Sequence, residues 1–104
     1  MAQFDVYRNA NAATQDGFPY LLDVQAELLD SLATRVVVPL ARATEAPRPA
    51  KILNPKFRIQ GTEVVMLTQE LAGIPARALG EKVASLAPKR AEIVGALDLL
   101  ITGF

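Results

Sequence analysis

The pattern of apolar and polar positions predicts several short strands followed by one helix. Apolar and polar residues alternate over Phe4–Tyr7 and again over Phe18–Gln25, as they do in half-buried strands. The run Arg35–Leu40 contains three consecutive valines and is too short for a helix, so it predicts a further strand. Pro39 has no backbone N–H to donate, and we therefore expect it at a strand end or a sheet edge.

The middle of the chain predicts a long loop and then a β-hairpin. Residues 41–54 hold two prolines and charges of both signs, which is typical of a surface loop. Phe57–Ile59 and Val64–Leu67 flank a short polar segment in which Gly61 can supply a positive φ, the signature of a hairpin. Ile74–Leu79 predicts a weaker strand.

A helical pattern runs from the region of Pro88 to the end of the chain. Proline suits the first helical position, although Ala87 before it is a poor cap. One helix face carries apolar residues at helical spacing, namely Ile93, Leu97, Leu100, Ile101 and Phe104. Such an end either docks on its own fold or is kept free for a partner. Strands followed by one helix predict a mainly β fold, antiparallel and closed by a C-terminal α-helix.

Length and composition predict one globular domain over residues 1–104. Half of the residues (51%) are hydrophobic and 21% are charged, which favours a folded protein over a disordered one. No apolar run approaches the roughly 20 residues that span a bilayer, and no signal peptide is recognisable. Since the chain also has no cysteine, we expect a cytoplasmic protein that does not contact a membrane.

Two residue types that carry much of enzyme chemistry are missing from the chain. Without His or Cys there is no imidazole base, no thiolate nucleophile and no zinc site of the common kinds. Carboxylates such as Glu27, Asp30, Glu81 and Glu92 could act as acid and base, but surface carboxylates are far more common. We therefore expect neither catalysis nor a cofactor.

The charge balance argues against a protein that binds DNA by itself. The formal net charge is zero, so the electrostatic attraction that drives nucleic-acid binding is missing overall. Lys51, Lys56 and Arg58, with Phe57 between the last two, could form a local nucleic-acid surface. A solvated strand edge is the simpler interpretation of these residues.

Leu28 and Leu29 follow a predicted strand in a segment that reads as a short helix or a turn. If the segment is extended, two adjacent leucines cannot both point into one core. A single exposed leucine is ordinary, whereas two beside another apolar patch indicate a partner site. The residues by themselves leave both interpretations open.

Short motifs along the whole chain resemble the CcdB toxins of bacterial toxin–antitoxin modules. In chain order the motifs are Phe4–Tyr7, Leu22–Asp30, Arg35–Ala41, Met66–Thr68, Ile74–Pro75, Gly80–Val83, Glu92–Ile93, Ala96–Asp98 and Gly103–Phe104. Each motif is weak alone, but together they are in register and end at the same place. Only the loops at 8–17 and 42–54 differ.

The resemblance implies a fold, a target and partners. The fold would be an SH3-like barrel or antiparallel sheet with a C-terminal helix, assembled as a homodimer. Toxins of this family are not enzymes; they bind the A subunit of DNA gyrase and trap it with cleaved DNA. A CcdA-like antitoxin neutralises them through a disordered segment, and the complex represses its own operon, with DNA contacted through the antitoxin. The resemblance leaves the antitoxin-contacting residues of this chain unassigned.

The family's gyrase-contacting positions correspond to six residues here. They are Leu28, Leu29, Asp98, Thr102, Gly103 and Phe104. The well-known toxin of the family has tryptophan where this chain has Thr102, asparagine where it has Asp98, and isoleucine where it ends in Phe104. Thr102 therefore lacks the large aromatic surface that often anchors an interface, part of which Phe104 could supply.

Two alternatives to gyrase poisoning follow from the same resemblance. The related MazF-type toxins share the barrel fold and are endoribonucleases, for which Arg35 and Thr34 would be the candidate catalytic residues, although no local MazF motif accompanies them. The departures at Thr102 and Asp98 also fit a non-toxic member of the family that only binds antitoxin.

Overall fold

The computed structural model describes residues 2–103, which form seven strands and one α-helix. The elements are β1 (Asp5–Asn9), β2 (Tyr20–Asp23), β3 (Thr34–Arg42), β4 (Lys56–Ile59), β5 (Thr62–Met66), β6 (Ala72–Pro75), β7 (Leu79–Ser85) and α1 (Arg90–Thr102). All strand pairs are antiparallel. The strands lie in the order β4-β5-β3-β2-β1-β7, β6 pairs with β3 outside this order, and the sheet curls into a half-barrel. The mainly β fold with one C-terminal helix is thus confirmed. None of the helices in residues 2–103 has both the length and the apolar character needed to cross a bilayer.

The long strand β3 holds the sheet together, and the prediction for Pro39 was wrong. β3 pairs with β2 on one side, while on the other its residues 34–37 pair with β6 and residues 40–42 pair with β5. Pro39 lies inside β3, opposite Leu21, and is buried. Its carbonyl accepts a hydrogen bond from the backbone N–H of Leu67 (3.0 Å), at the place where the partner changes from β6 to β5. In an antiparallel strand, the N–H and C=O of one residue point toward the same neighbouring strand. The N–H that Pro39 lacks would therefore point to the place where β3 has left β6 and has not yet paired with β5.

The core lies between one face of the sheet and helix α1. Leu22, Val38 and Leu40 from the central strands are fully buried there, and the helix contributes Ile93 and Ala96. α1 begins at Arg90, two residues after Pro88, because a 3-10 turn over residues 87–89 precedes it. The helix is thus fixed to the sheet by its first half.

The weak strand expected over Ile74–Leu79 is two strands in the structure. β6 ends at Pro75, a 3-10 turn covers residues 76–78, and β7 then runs from Leu79 to pair with β1. β7 was not predicted because it contains only a weak apolar alternation and is half-exposed or exposed along its whole length. The hairpin prediction is confirmed: β4 and β5 are joined by Gln60 and Gly61, both with positive φ (49° and 82°).

Candidate functional site

The leucine turn, residues 27–32, presents three apolar side chains to solvent. It contains a 3-10 turn over Glu27–Leu29. Leu28 is 95% exposed, and Leu29 and Leu32 are about half exposed (48% and 50%). Single exposed leucines are common, but three within five positions form an apolar surface of the kind that marks an interaction site.

Gln25 fastens the leucine turn to the sheet. Its side-chain oxygen accepts a hydrogen bond from the backbone N–H of Val36 in β3 (2.9 Å), and its Nε2 donates to the carbonyl of Leu29 (2.8 Å). The backbone N–H of Gln25 donates to Oδ1 of Asp23 (3.0 Å). A buried glutamine whose oxygen and nitrogen both have partners restrains the turn, so Leu28 is held in place without being buried itself.

A buried ion pair lies behind the same turn. Nε and Nη2 of Arg35 both donate to Oδ2 of Asp23 (2.9 and 2.6 Å), and Nη1 donates to Oδ1 of Asp30 in the turn (3.1 Å). The side chains of Arg35 and Asp23 are completely buried. Burial raises the pKa of Asp23 above its ordinary value, although the hydrogen bonds from Arg35 and Gln25 act in the opposite direction. Arg35 therefore connects β2, β3 and the leucine turn.

A polar cavity of about 580 Å³ borders the leucine turn. Asp5, Tyr7 and Lys82 line it, together with Glu27 and Asp30 of the turn. The Tyr7 hydroxyl donates to Oδ2 of Asp5 (3.5 Å), and Nζ of Lys82 lies 3.3 Å from Oδ1 of Asp5. Burial, reinforced by the charges of Asp5 and Asp23, raises the pKa of Tyr7, so this phenol stays protonated at neutral pH.

The helix end, residues 98–103, is the second exposed apolar segment. Leu100 is 39% and Ile101 73% exposed, whereas Ile93 two turns earlier is fully buried. The Thr102 hydroxyl donates to the carbonyl of Asp98 (2.7 Å), and Gly103, with φ of 82°, donates its N–H to the carbonyl of Leu99 (3.1 Å). Left-handed glycine is a standard helix terminator. The first half of the helix packs on the sheet and its last turn is exposed.

Five of the six residues assigned from the resemblance can be placed. Leu28 and Leu29 lie in the leucine turn; Asp98, Thr102 and Gly103 are exposed in the helix end. Phe104 lies outside the described residues. The two groups are held by different parts of the fold: the leucine turn by Gln25 and Arg35, the helix by its core residues Ile93 and Ala96.

The residues that hold the leucine turn in place were not predicted from the sequence. Asp23, Gln25 and Arg35 were not recognised as a connected group. The available signal was that Asp23 and Gln25 share one face of the predicted strand 18–25, and that the next predicted strand begins with Arg35, which carries the opposite charge to Asp23. Leu32 is a further exposed leucine of the turn that was not singled out, whereas Ile101 was already part of the predicted apolar helix face.

The four carboxylates that the sequence offered for acid–base work lie in three different elements of the described chain. Within residues 2–103, no cluster of three or more carboxylates could hold a metal ion. Glu27 and Asp30 border the polar cavity, whereas Glu81 lies in β7 and Glu92 in α1. Thr34 is exposed, but the neighbouring Arg35 is completely buried.

Comparison with known proteins places the fold and the family. The model of a family described as CcdB protein matches residues 3–103, nearly the whole chain. One similar solved structure is described as an endoribonuclease in complex with its cognate antitoxin from Mycobacterial species. It superposes with a TM-score of 0.79 at 16% sequence identity, over 98% of this chain and 95% of that chain. At this identity the likeness concerns the fold alone.

Proposed function

The chain belongs to the CcdB protein family, and on that basis we propose that it is the toxin of a type II toxin–antitoxin module that binds the gyrase A subunit and traps the DNA cleavage complex. The observation that carries the proposal is the pair of exposed apolar segments, the leucine turn and the helix end. Both occupy the positions that the family resemblance assigns to gyrase contact.

The leucine turn is suited to binding because it is exposed and restrained at the same time. Leu28 is almost fully exposed, while Gln25 and Arg35 hold the turn at Leu29 and Asp30. A preorganised apolar group loses little conformational entropy on binding. Burial of one such leucine against a partner contributes about 1.5–3 kcal/mol.

The proposal includes three assembly steps: a homodimer, neutralisation by a CcdA-like antitoxin, and repression of the operon by the toxin–antitoxin complex. The antitoxin is supported by the family and by the related solved structure, which is itself a complex with a cognate antitoxin. A chain of zero net charge fits a complex in which the antitoxin supplies most DNA contacts. Cytoplasmic gyrase and operon DNA would place the protein in the cytoplasm.

We propose that the protein acts by binding and not by catalysis of its own. The alternative is a MazF-like endoribonuclease, favoured by the fold shared with the solved endoribonuclease. Its candidate catalytic arginine, Arg35, is completely buried and engaged by two carboxylates. A guanidinium in that position has no path to a phosphodiester, which supports the binding mechanism.

The test is a direct comparison of the two activities with purified protein. We expect inhibition of gyrase supercoiling and accumulation of linear DNA after denaturation of gyrase, with no cleavage of a structured messenger RNA. RNA cleavage without an effect on gyrase would contradict the proposal and identify the protein as a ribonuclease. Binding to a co-expressed antitoxin with neither activity would identify a non-toxic member of the family.

A further inference from the structure

Four basic side chains gather along one surface that the proposed gyrase site does not use. Lys56 and Arg58 are exposed on β4, on either side of buried Phe57. Together with Lys89, which precedes α1, they line a cavity of about 290 Å³. Lys56 also lines a neighbouring cavity of about 370 Å³ with Lys51 of the preceding loop. The four cations thus follow one continuous path.

These cations have no carboxylate partner in the described part of the chain. Within residues 2–103, none of the four forms an ion pair; Arg58 donates to the carbonyl of Gly61 in its own hairpin (3.1 Å). Glu63 and Glu92 are the acidic residues that line these cavities and the one beside them. A neutral chain therefore carries a local excess of positive charge here, which attracts an anionic partner.

An apolar groove continues the basic path. Lys51 also lines a cavity of about 390 Å³ between the loop and α1, together with Pro55, Gly95 and Ile52, which is 64% exposed. A Cβ built on Gly95 would meet no atom within 4 Å, so there is room for an incoming side chain. The loop is fixed because Asn54 is buried and its Nδ2 donates to the carbonyl of Met66 (3.0 Å).

We infer that this cationic groove, defined by Lys51, Ile52, Lys56, Arg58, Lys89 and Gly95, binds an extended acidic protein segment that carries apolar anchor residues. Unpaired cations beside an apolar slot match carboxylates that alternate with aliphatic or aromatic side chains. A nucleic-acid backbone would use the cations but would leave the apolar part of the groove empty. The inference rests on the proposed function in one respect: the antitoxin is the partner that would supply the segment.

The binding test uses a fluorescein-labelled peptide in which glutamates alternate with leucines, and anisotropy as the measurement. The wild-type protein should bind it, and both Lys56→Glu/Lys89→Glu and Gly95→Leu should weaken binding about tenfold or more. Arg77→Glu and Gly73→Leu are the matched controls, since Arg77 lies in another turn and a Cβ on Gly73 also meets open space. Equal binding by all variants, or tighter binding of a labelled DNA duplex than of the peptide, would overturn the inference.

Failure of this inference can be told apart from failure of the proposed function. Peptide binding requires neither gyrase nor toxicity. A protein that binds the peptide but does not inhibit gyrase would therefore support the cationic groove and contradict the proposed function. A protein that poisons gyrase but does not bind the peptide would support the proposed function and contradict the cationic groove. In cells, Lys56→Glu/Lys89→Glu should remain toxic and escape neutralisation by the co-expressed antitoxin; full neutralisation would contradict the inference.

Discussion

Arg35 and Asp23 form a completely buried ion pair in which one carboxylate oxygen accepts hydrogen bonds from both Nε and Nη2 of the arginine, at 2.9 and 2.6 Å. The third contact of Arg35, to Asp30, extends this pair to the turn that exposes Leu28. The same residue therefore supports the fold and positions the proposed binding surface.

Replacing Arg35 by methionine should lower the free energy of unfolding by about 3–5 kcal/mol, because it leaves the buried carboxylate of Asp23 without its cation. Urea denaturation followed by circular dichroism measures the loss. The double variant Asp23→Asn/Arg35→Met is the control and should recover much of the stability, since no buried charge remains. A double variant as unstable as Arg35→Met would show that packing, and not charge, accounts for the effect.

The loss in Arg35→Met should depend on pH. Burial already raises the pKa of Asp23, and without Arg35 it acts with less opposition. A carboxyl whose pKa is raised in the folded state binds its proton more strongly there than in the unfolded chain, so protonation stabilises the fold. The stability difference from wild type should shrink as pH falls from 7 to about 4, near the ordinary pKa of Asp. A difference that stays constant over this range would contradict the mechanism.

Leu28→Ser should separate binding from stability. Leu28 is 95% exposed, so the unfolding free energy should change by no more than about 0.5 kcal/mol. Loss of one leucine from the proposed gyrase interface should weaken inhibition about 10- to 100-fold, measured as the protein concentration that halves supercoiling. Ile52→Ser removes another exposed aliphatic side chain (64%), on a different surface, and should leave inhibition intact. Equal loss in both variants would argue against the leucine turn as the gyrase site.

Thr102→Trp should strengthen gyrase inhibition, because it restores the aromatic residue that the family resemblance places at this position. Thr102 is exposed at the helix end, so the fold should tolerate the larger side chain. A buried tryptophan anchor contributes enough for a gain of about tenfold in potency. Thr102→Val is the control, since it also removes the hydroxyl bonded to the Asp98 carbonyl but adds no aromatic surface. A Trp variant no more potent than the Val variant would place gyrase contact elsewhere.

Local signals predicted the parts of the fold that depend on neighbouring residues. Gly61 identified the hairpin because a two-residue turn requires positive φ, and three consecutive valines identified β3. Pro39 was misplaced because its tolerance depends on which strand pairs with β3 at that point. The pairing of Asp23 with Arg35, twelve residues apart, is likewise a property of the assembled sheet. No local pattern contains these relationships.

Gly80→Ala should destabilise the protein, because β7 lies close against β1 at Gly80. A Cβ on Gly80 would lie 2.8 Å from the carbonyl oxygen of Arg8 and 3.2 Å from its Cβ, beside the register shift between Tyr7 and Asn9. The obstructing oxygen belongs to the backbone of a paired strand, so relief requires the strands to separate. We expect a loss of about 1–3 kcal/mol in unfolding free energy.

The comparison for this loss is Gly95→Ala, where the new methyl group meets no atom within 4 Å. Gly95 lies inside α1, and alanine there should raise the unfolding free energy by about 0.5–1 kcal/mol, because glycine has more backbone freedom to lose on folding. Thermal denaturation of the two variants should therefore shift the midpoint in opposite directions. If Gly80→Ala also raised the midpoint, β7 would have to lie further from β1 at Arg8 than the 2.8 Å contact implies.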